Sequence, residues 1–427
     1  MGGIFVLILL AWVLSANRRE INWLVVIWGV GLEMLLALFL FIFPAGVKFF
    51  LWINDLVVKV MDSATAGSRF IFGRLALPPG MAGEGGETSL GFILAFQAFP
   101  TIIFFSSLMA ILYYFNILPR IIKFFSFLFT RLMKISGAES LCAASNIFVG
   151  VESTLTIKPF LKDMTRSELA TVLTTGMATV ASNVLAVYVF VLKEVFPMIA
   201  GHLIAASFLS APAALVMAKM LLPETEQPKT LGEQVEPHIE RDDNVFEAVI
   251  NGAMTGVRLI AGIVALLIAV LGLVALGDKV LVFVGMKINA FLPVPLDWSL
   301  KGLLGYVFYP FTLILGIPPV DAAYLAGIIS ERAVVTELTA YQDLARLLRE
   351  GVLKDPRSAV ITTYALCGFA HVASMAIFVG GVAAIVPEQT KVLAQIALRC
   401  LVAATLACLL TACVAGTFFV QGSILLG

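Results

Sequence analysis

Five side chains in otherwise apolar segments could do chemistry: Glu152, Glu331, Arg332, Glu337 and His371. A charge at the bilayer centre costs about 2.5–3.5 kcal/mol on insertion scales, so such a side chain faces a cavity or a partner. Glu152 follows Gly150-Val151 and precedes Ser153-Thr154, while Glu337 follows Thr336 a few residues after Glu331-Arg332. A carboxylate in either place can accept hydroxyl or N–H hydrogen bonds from a polar solute. An unperturbed imidazole titrates at about pH 6.5, so His371 is a candidate proton carrier as well as a hydrogen-bonded core residue. Asn146 and Thr179 are neutral oxygen donors of the type a sodium site uses, although both residue types also serve in helix packing. Glu331 and Arg332 could pair with each other or sit at a turn near water. Glu33 and Arg258 read as structural, or as lying near helix ends.

A duplicated unit positions these residues. Gly176-Met-Ala-Thr179-Val-Ala-Ser182-Asn183 and Gly368-Phe369-Ala-His371-Val-Ala-Ser374-Met375 read almost alike. Each octet follows an Arg-Ser pair, Arg166-Ser167 or Arg357-Ser358, and upstream of each pair lies an apolar segment broken by the polar residues just named. His371 thus stands opposite Thr179. Transporters built from repeats place their site where the copies meet, on discontinuous helices whose freed carbonyls hold a cation and whose N-termini face the solute.

Composition fixes the solvent. Hydrophobic residues make up 60% of the chain and charged residues 13%, with a mean hydropathy of +1.00. A soluble chain carries about 25% charged residues, so lipid surrounds this one. Lys+Arg and Asp+Glu both number 28, which leaves no basic field for nucleic acid. Cys142, Cys367, Cys400, Cys408 and Cys413 are scattered through apolar stretches and read as small core residues. No His-Glu-x-x-His, Gly-x-Ser-x-Gly or Cys/His metal spacing supports a membrane-embedded enzyme. Residues 4–16 lead into Asn17-Arg18-Arg19 with no small-residue cleavage pattern, unlike a removable signal peptide.

The hydropathy pattern and the repeat predict an all-α polytopic membrane protein. About eight transmembrane helices and two re-entrant helical hairpins are expected, as an inverted repeat. Early spans fall at 3–16, 21–43 and 93–115, interfacial helices at 47–64 and 117–134, and a Pro/Gly-rich loop at 76–87. The first repeat comprises a broken hairpin (138–161), a helix (166–191) and a span (198–221). A span at 256–276 precedes an interrupted region, 280–317, and the second repeat comprises a hairpin (318–347), a helix (358–385) and a span (390–415). The expected division is 1–115 mainly scaffold, 116–222 first transport repeat, 223–243 polar linker, 244–317 scaffold span and connector, and 318–427 second transport repeat. With Arg18, Arg19 and the basic 117–134 helix inside, the connector bearing Arg346, Arg349, Lys354 and Arg357 falls outside. That opposes the positive-inside tendency, but inverted repeats require their two connectors to face opposite compartments.

Several segments resemble the concentrative nucleoside transporters nearly end to end. These are Leu14-Ser15-Ala-Asn17-Arg18-Arg19, Gly137-Ala-Glu139-Ser140-Leu, Ala144-Ser-Asn146-Ile-Phe-Val149-Gly150, Lys158-Pro159-Phe160, Thr336-Glu337-Leu-Thr-Ala340-Tyr341 and Ala365-Leu-Cys-Gly368-Phe369-Ala-His371-Val-Ala-Ser374. The resemblance implies a homotrimeric, elevator-type transporter in the inner (plasma) membrane, with multiple passes and with sodium or protons driving uptake. It implies sodium ligands at Asn146, Thr179 and the carbonyls of Val149 and Val180, and no organic cofactor. It places ribose contacts at Glu337 and Ser374, base contacts at Val151 and Glu152, and apolar walls at Val184 and Phe369.

The departures lie in the site. Thr336 and His371 stand where the family has Asn, and Arg332 where it has Lys. The stretch from Gly150 to Lys158 is one residue shorter than in the family. Glu152 therefore takes the place of the family's Glu, or replaces its Thr and leaves Ser153 in the Glu position. The expected function is cation-coupled import of nucleosides or a nucleoside-like polar metabolite. The alternative keeps the fold, carries a different small polar solute, and couples to protons through Glu152 or His371.

Overall fold

The computed structural model describes residues 1–83, 86–238, 242–293 and 295–419. Parts of the expected 76–87 loop and 223–243 linker, and the end of the 318–427 unit, lie outside the described residues. Among the described residues the chain is helical, with strand-like pairing confined to two isolated bridges. The helices are α1 (Gly2–Leu14), α2 (Trp23–Phe41), α3 (Pro44–Phe72), α4 (Leu94–Gln97), α5 (Phe99–Tyr114), α6 (Ile117–Met133), α7 (Gly137–Asn146), α8 (Arg166–Ala178) and α9 (Ser182–Leu192). They continue as α10 (Ile199–Leu221), α11 (Val245–Asn289), α12 (Leu300–Ile314), α13 (Pro319–Val334), α14 (Glu337–Arg349), α15 (Pro356–Leu366), α16 (Val372–Ile385) and α17 (Thr390–Phe418).

Six stretches are long and apolar enough to cross a membrane: Trp23–Phe41, Leu94–Tyr114, Arg166–Leu192, Ile199–Leu221, Val245–Asn289 and Pro387–Phe418. Helices α1, α12 and α16 are apolar but shorter. The buried centre is α10, which packs on α2, α8 and α17. α1 also lies on α17 and α10, whereas α5 pairs with α11, most of whose surface is exposed.

Both expected hairpins form. Hairpin 1 is α7 followed by two 3-10 turns, Val151–Ile157 and Leu161–Asp163. A capping box starts α7: Ser136 accepts from the Glu139 N–H, and Glu139 accepts from the Ser136 N–H at 2.9 Å. Lys219 of α10 sits 2.7 Å from the same buried carboxylate and so ties the hairpin to the core. Hairpin 2 is α13 and α14, joined at Val335-Thr336.

The helices expected over 166–191 and 358–385 are not continuous. The first breaks at 179–181, where Thr179 and Ala181 are extended. Its loose groups find partners elsewhere: the Ser182 N–H donates to Phe148 O of hairpin 1 at 3.0 Å, and the Thr179 hydroxyl donates back to Thr175 O at 2.8 Å. The second breaks at 367–371, where Gly368 has φ +128°, a conformation open to glycine. Hydropathy sees apolar residues on both sides of each break and cannot see that the bond partners are remote. Two further expectations were too short. The interfacial helix runs Pro44–Phe72, and the span expected at 256–276 is a 45-residue helix.

The two connectors lie at opposite ends of α17. Gln389, just before its start, donates to Lys162 O at 2.9 Å, and Gly416, near its end, accepts from Arg357 Nε at 3.1 Å. A helix of 29 residues spans about 43 Å at the α-helical rise. The two connectors therefore lie on opposite sides of the structure, as inverted repeats require.

Candidate functional site

The two unwound segments cross at the centre. A Cβ on Gly368 would stand 2.7 Å from Ala178 O, and one on Gly176 would meet the Phe378 ring at 2.3 Å. Each octet therefore supplies a glycine where the other copy comes closest. Around the crossing lie two cavities, of about 260 Å³ and about 30 Å³, that share Val184, Ile263, Leu266 and Phe369. The larger is lined by Glu152, Thr179 and Ser374, the smaller by Thr336, Glu337 and His371. An open cleft of about 530 Å³ between α3, the end of α9 and α14 contains none of these residues, so size alone does not locate the site.

Glu337 begins α14 at the turn of hairpin 2. Tyr188 of α9 donates to its Oε1 at 2.5 Å, and His371 Nε2 stands 3.3 Å from Oε2. The Ser374 N–H donates to His371 Nδ1 at 3.1 Å, capping α16. A ring nitrogen that accepts carries no proton, so the neutral imidazole holds its proton on Nε2, facing the carboxylate. At 3.3 Å the pair is close but not aligned as a hydrogen bond. Glu337 Oε2, His371 Nε2 and the Thr336 hydroxyl are all buried without a hydrogen-bond partner among the described residues. Each unmet buried group costs about 1–3 kcal/mol, so an arrangement that gathers three of them is built for a polar ligand.

A second set lies where the end of α7 in hairpin 1 meets the α8–α9 break. Asn146 donates to Cys142 O at 3.1 Å and to the Thr175 hydroxyl at 3.3 Å, leaving its buried Oδ1 without a partner. Thr175 also accepts from Thr179 through its carbonyl, so one residue links Asn146 to the break. The Val180 carbonyl has only a 3.4 Å contact from the Ser207 hydroxyl, and the Val149 N–H closes on Ser145 O at 3.0 Å. Neutral oxygens with one orphaned amide oxygen suit a hard monovalent cation, so these residues fit a sodium ion.

Some sequence-selected residues stand elsewhere. Ser153 is buried against Cys142, 3.7 Å from its sulfur, and lines neither cavity. Val151 is placed by its backbone alone, its side chain lying outside what the structure describes. Glu331 and Arg332 do not pair. Glu331 takes Lys301 of α12 at 2.5 Å, while the buried Arg332 guanidinium donates to Ala365 O at 2.7 Å and caps α15.

Three family models match this chain: the Na+ dependent nucleoside transporter C-terminus over residues 202–416, its N-terminus over 2–75, and a nucleoside recognition gate over 95–195. The chain belongs to the Na+ dependent nucleoside transporter family. Solute carrier family 28 member 3 of Mus musculus is 34% identical over 97% of this chain, but this chain covers 58% of that relative. An uncharacterized transporter of Haemophilus influenzae is 34% identical, with 99% of this chain and 97% of the relative aligned. A solved structure of CNTnw in an inward-facing substrate-bound state superposes with a TM-score of 0.86 at 32% identity, covering 97% of this chain and 96% of that one. The relatives so named are transporters, not enzymes.

For a member of this sodium-dependent nucleoside transporter family, the site holds residues that the sequence did not single out. Tyr188 appears there as one more aromatic in an apolar helix, and only the fold brings it to Glu337. Its ring also packs on Tyr341 at 4.8 Å, and Tyr341 donates to Thr363 O of α15 at 2.9 Å. Arg258, read as structural, lines the larger cavity.

Proposed function

We propose that the chain is a cation-coupled secondary active transporter that imports nucleosides across the inner (plasma) membrane, with sodium as the coupling ion. The observation that carries this reading is the convergence of unmet polar groups from Thr336, Glu337 and His371 where two broken helices cross. Glu337 accepts from a sugar hydroxyl through Oε2 and His371 Nε2–H donates to one, with Ser374 holding the imidazole rather than the solute. Glu152 faces the base, and Val184 and Phe369 form its apolar walls. Val151 and Thr336 complete the substrate-binding set expected from sequence; Ser153, also expected there, instead packs hairpin 1 against Cys142.

Asn146, Val149, Thr179 and Val180 would hold the sodium ion, which when bound neutralises the freed oxygens of hairpin 1 and the α8–α9 break. Sodium is favoured over protons by the orphaned Asn146 Oδ1 among neutral oxygens at the break, and by the sodium-dependent family to which the chain belongs.

The mobile unit of the elevator comprises both hairpins, the broken helices, α10 and α17. α1 and α2 travel with it, although residues 1–115 read from sequence as mainly scaffold, because they pack on α10 and α17. The scaffold is α5 with α11, whose exposed apolar surface faces lipid and the neighbouring copies of a homotrimer.

Two tests follow from this reading. All five cysteines are buried, so single cysteines introduced at Lys162 and Lys354 stand out against a quiet background. An impermeant maleimide applied to intact cells is expected to label one and spare the other; equal labelling contradicts the inverted insertion. For the function itself, equilibrium binding to a panel of nucleosides, free bases and sugars is expected to select nucleosides. Affinity should be at least about tenfold higher in sodium than in potassium buffer. A panel in which no nucleoside binds overturns the proposal.

A further inference from the structure

The larger cavity holds a cation that neither the sugar contacts nor the sodium ligands use. Arg258 lies on the face of α11 that lines this cavity with Leu259, Gly262, Ile263 and Leu266. It directly precedes the uncharged run 259–277, and an arginine beside so apolar a run faces a cavity or a partner. Among the described residues it has no ion pair or hydrogen bond. One turn on, Gly262 has nothing within 4 Å of where a side chain would begin, so α11 leaves room beside the guanidinium. Glu152, which lines the same cavity from hairpin 1, supplies acceptors when ionised, and Arg258 supplies donors only.

We infer that Arg258 and Glu152 together read the base, and that the preferred base is a 6-oxopurine; this rests on the nucleoside reading above. A guanidinium forks onto two neighbouring acceptors, and the N7 and O6 atoms of a 6-oxopurine are such a pair. The adjoining N1–H then donates to a carboxylate. Adenine presents an amino group in place of O6 and a bare N1, so it turns a donor toward Arg258 and an acceptor toward Glu152. Uracil offers one carbonyl beside an N–H and engages the fork through a single atom. The rank order is therefore inosine or guanosine, then uridine, then adenosine.

Equilibrium binding of inosine and adenosine to the purified protein in sodium buffer tests this, because the two share sugar and shape. Inosine is expected to bind at least about tenfold tighter, within the range for one bidentate contact. Arg258→Met should bring the ratio to within about threefold, with Arg258→Lys in between because an ammonium cannot fork. On the unaltered protein, 7-deazainosine, which lacks one of the two fork acceptors, should bind about tenfold weaker than inosine, the cost of one charge-assisted hydrogen bond at the low end. That comparison decides the matter if Arg258→Met binds neither nucleoside. Equal affinities for inosine and adenosine overturn the base assignment alone, as does a 7-deazainosine affinity equal to that of inosine. Failure of both nucleosides to bind the unaltered protein overturns it together with the nucleoside reading.

Discussion

Glu337→Gln is expected to weaken nucleoside binding at least about tenfold while leaving the fold, and the proposed trimer, intact. The carboxylate faces donors on both sides, Tyr188 O–H at 2.5 Å and His371 Nε2–H at 3.3 Å. An amide has one oxygen and one NH2, so it can no longer accept on both sides: either the Tyr188 hydroxyl turns round to accept, or an N–H meets His371 Nε2–H, and no charged oxygen is left for the solute. Charge-assisted hydrogen bonds contribute about 1.5–3 kcal/mol each, and loss of one solute bond alone corresponds to roughly 10- to 150-fold in affinity. The side chain is held within a buried network and, among the described residues, makes no ion pair with Lys or Arg, so the helices around it have no reason to separate. Isothermal titration of the purified variant, with size-exclusion to report the oligomer, checks both halves. Near-native affinity refutes the assignment of Glu337 to the sugar.

Gly368→Ala is expected to destabilise the protein by about 2–6 kcal/mol and to abolish uptake. The strain of a non-glycine residue at φ +128° costs of order 1–3 kcal/mol. Forcing a methyl group to 2.7 Å from both Ala178 O and Cys408 Sγ adds a further 1–3 kcal/mol or so by overpacking. The clash is with backbone of the other repeat, so relief means parting the crossing that carries the site. Gly380→Ala in α16 is the control: open space surrounds that position, and alanine favours the helix by about 1 kcal/mol. Thermal unfolding in detergent should show a midpoint lower by several degrees for the first variant and unchanged or raised for the second. Equal midpoints would show that the crossing is less tightly packed than its distances require.

The elements of this fold were legible where the physics is local. Apolar length marked α2, α10 and α17, and the basic residues spaced through 117–134 marked α6; α7 and α8 begin within a residue of the expected bounds, where the structure shows Ser136 and Thr165 as their caps. The octets pointed to the centre of the molecule because glycine is needed there for close approach in both copies. What escaped the sequence depends on remote partners. Whether Thr179 interrupts a helix depends on Phe148 O receiving the Ser182 N–H, and whether Tyr188 belongs to the site depends on where α14 begins. Arg332 was read against its neighbour Glu331, whereas its partner is a carbonyl 33 positions away. His371 could be placed at the site from the repeat, but the engagement of Nδ1 by the α16 cap required the fold.

Accumulation of a labelled nucleoside in proteoliposomes under an imposed sodium gradient, at equal pH on both sides, tests the central claim most directly. The account predicts concentrative uptake of the intact nucleoside, dependent on sodium outside, with the drive weakened at least about tenfold by Asn146→Ala through loss of the orphaned amide oxygen. Uptake driven by a pH gradient in sodium-free buffer and indifferent to Asn146→Ala, or no accumulation of any nucleoside, would contradict it.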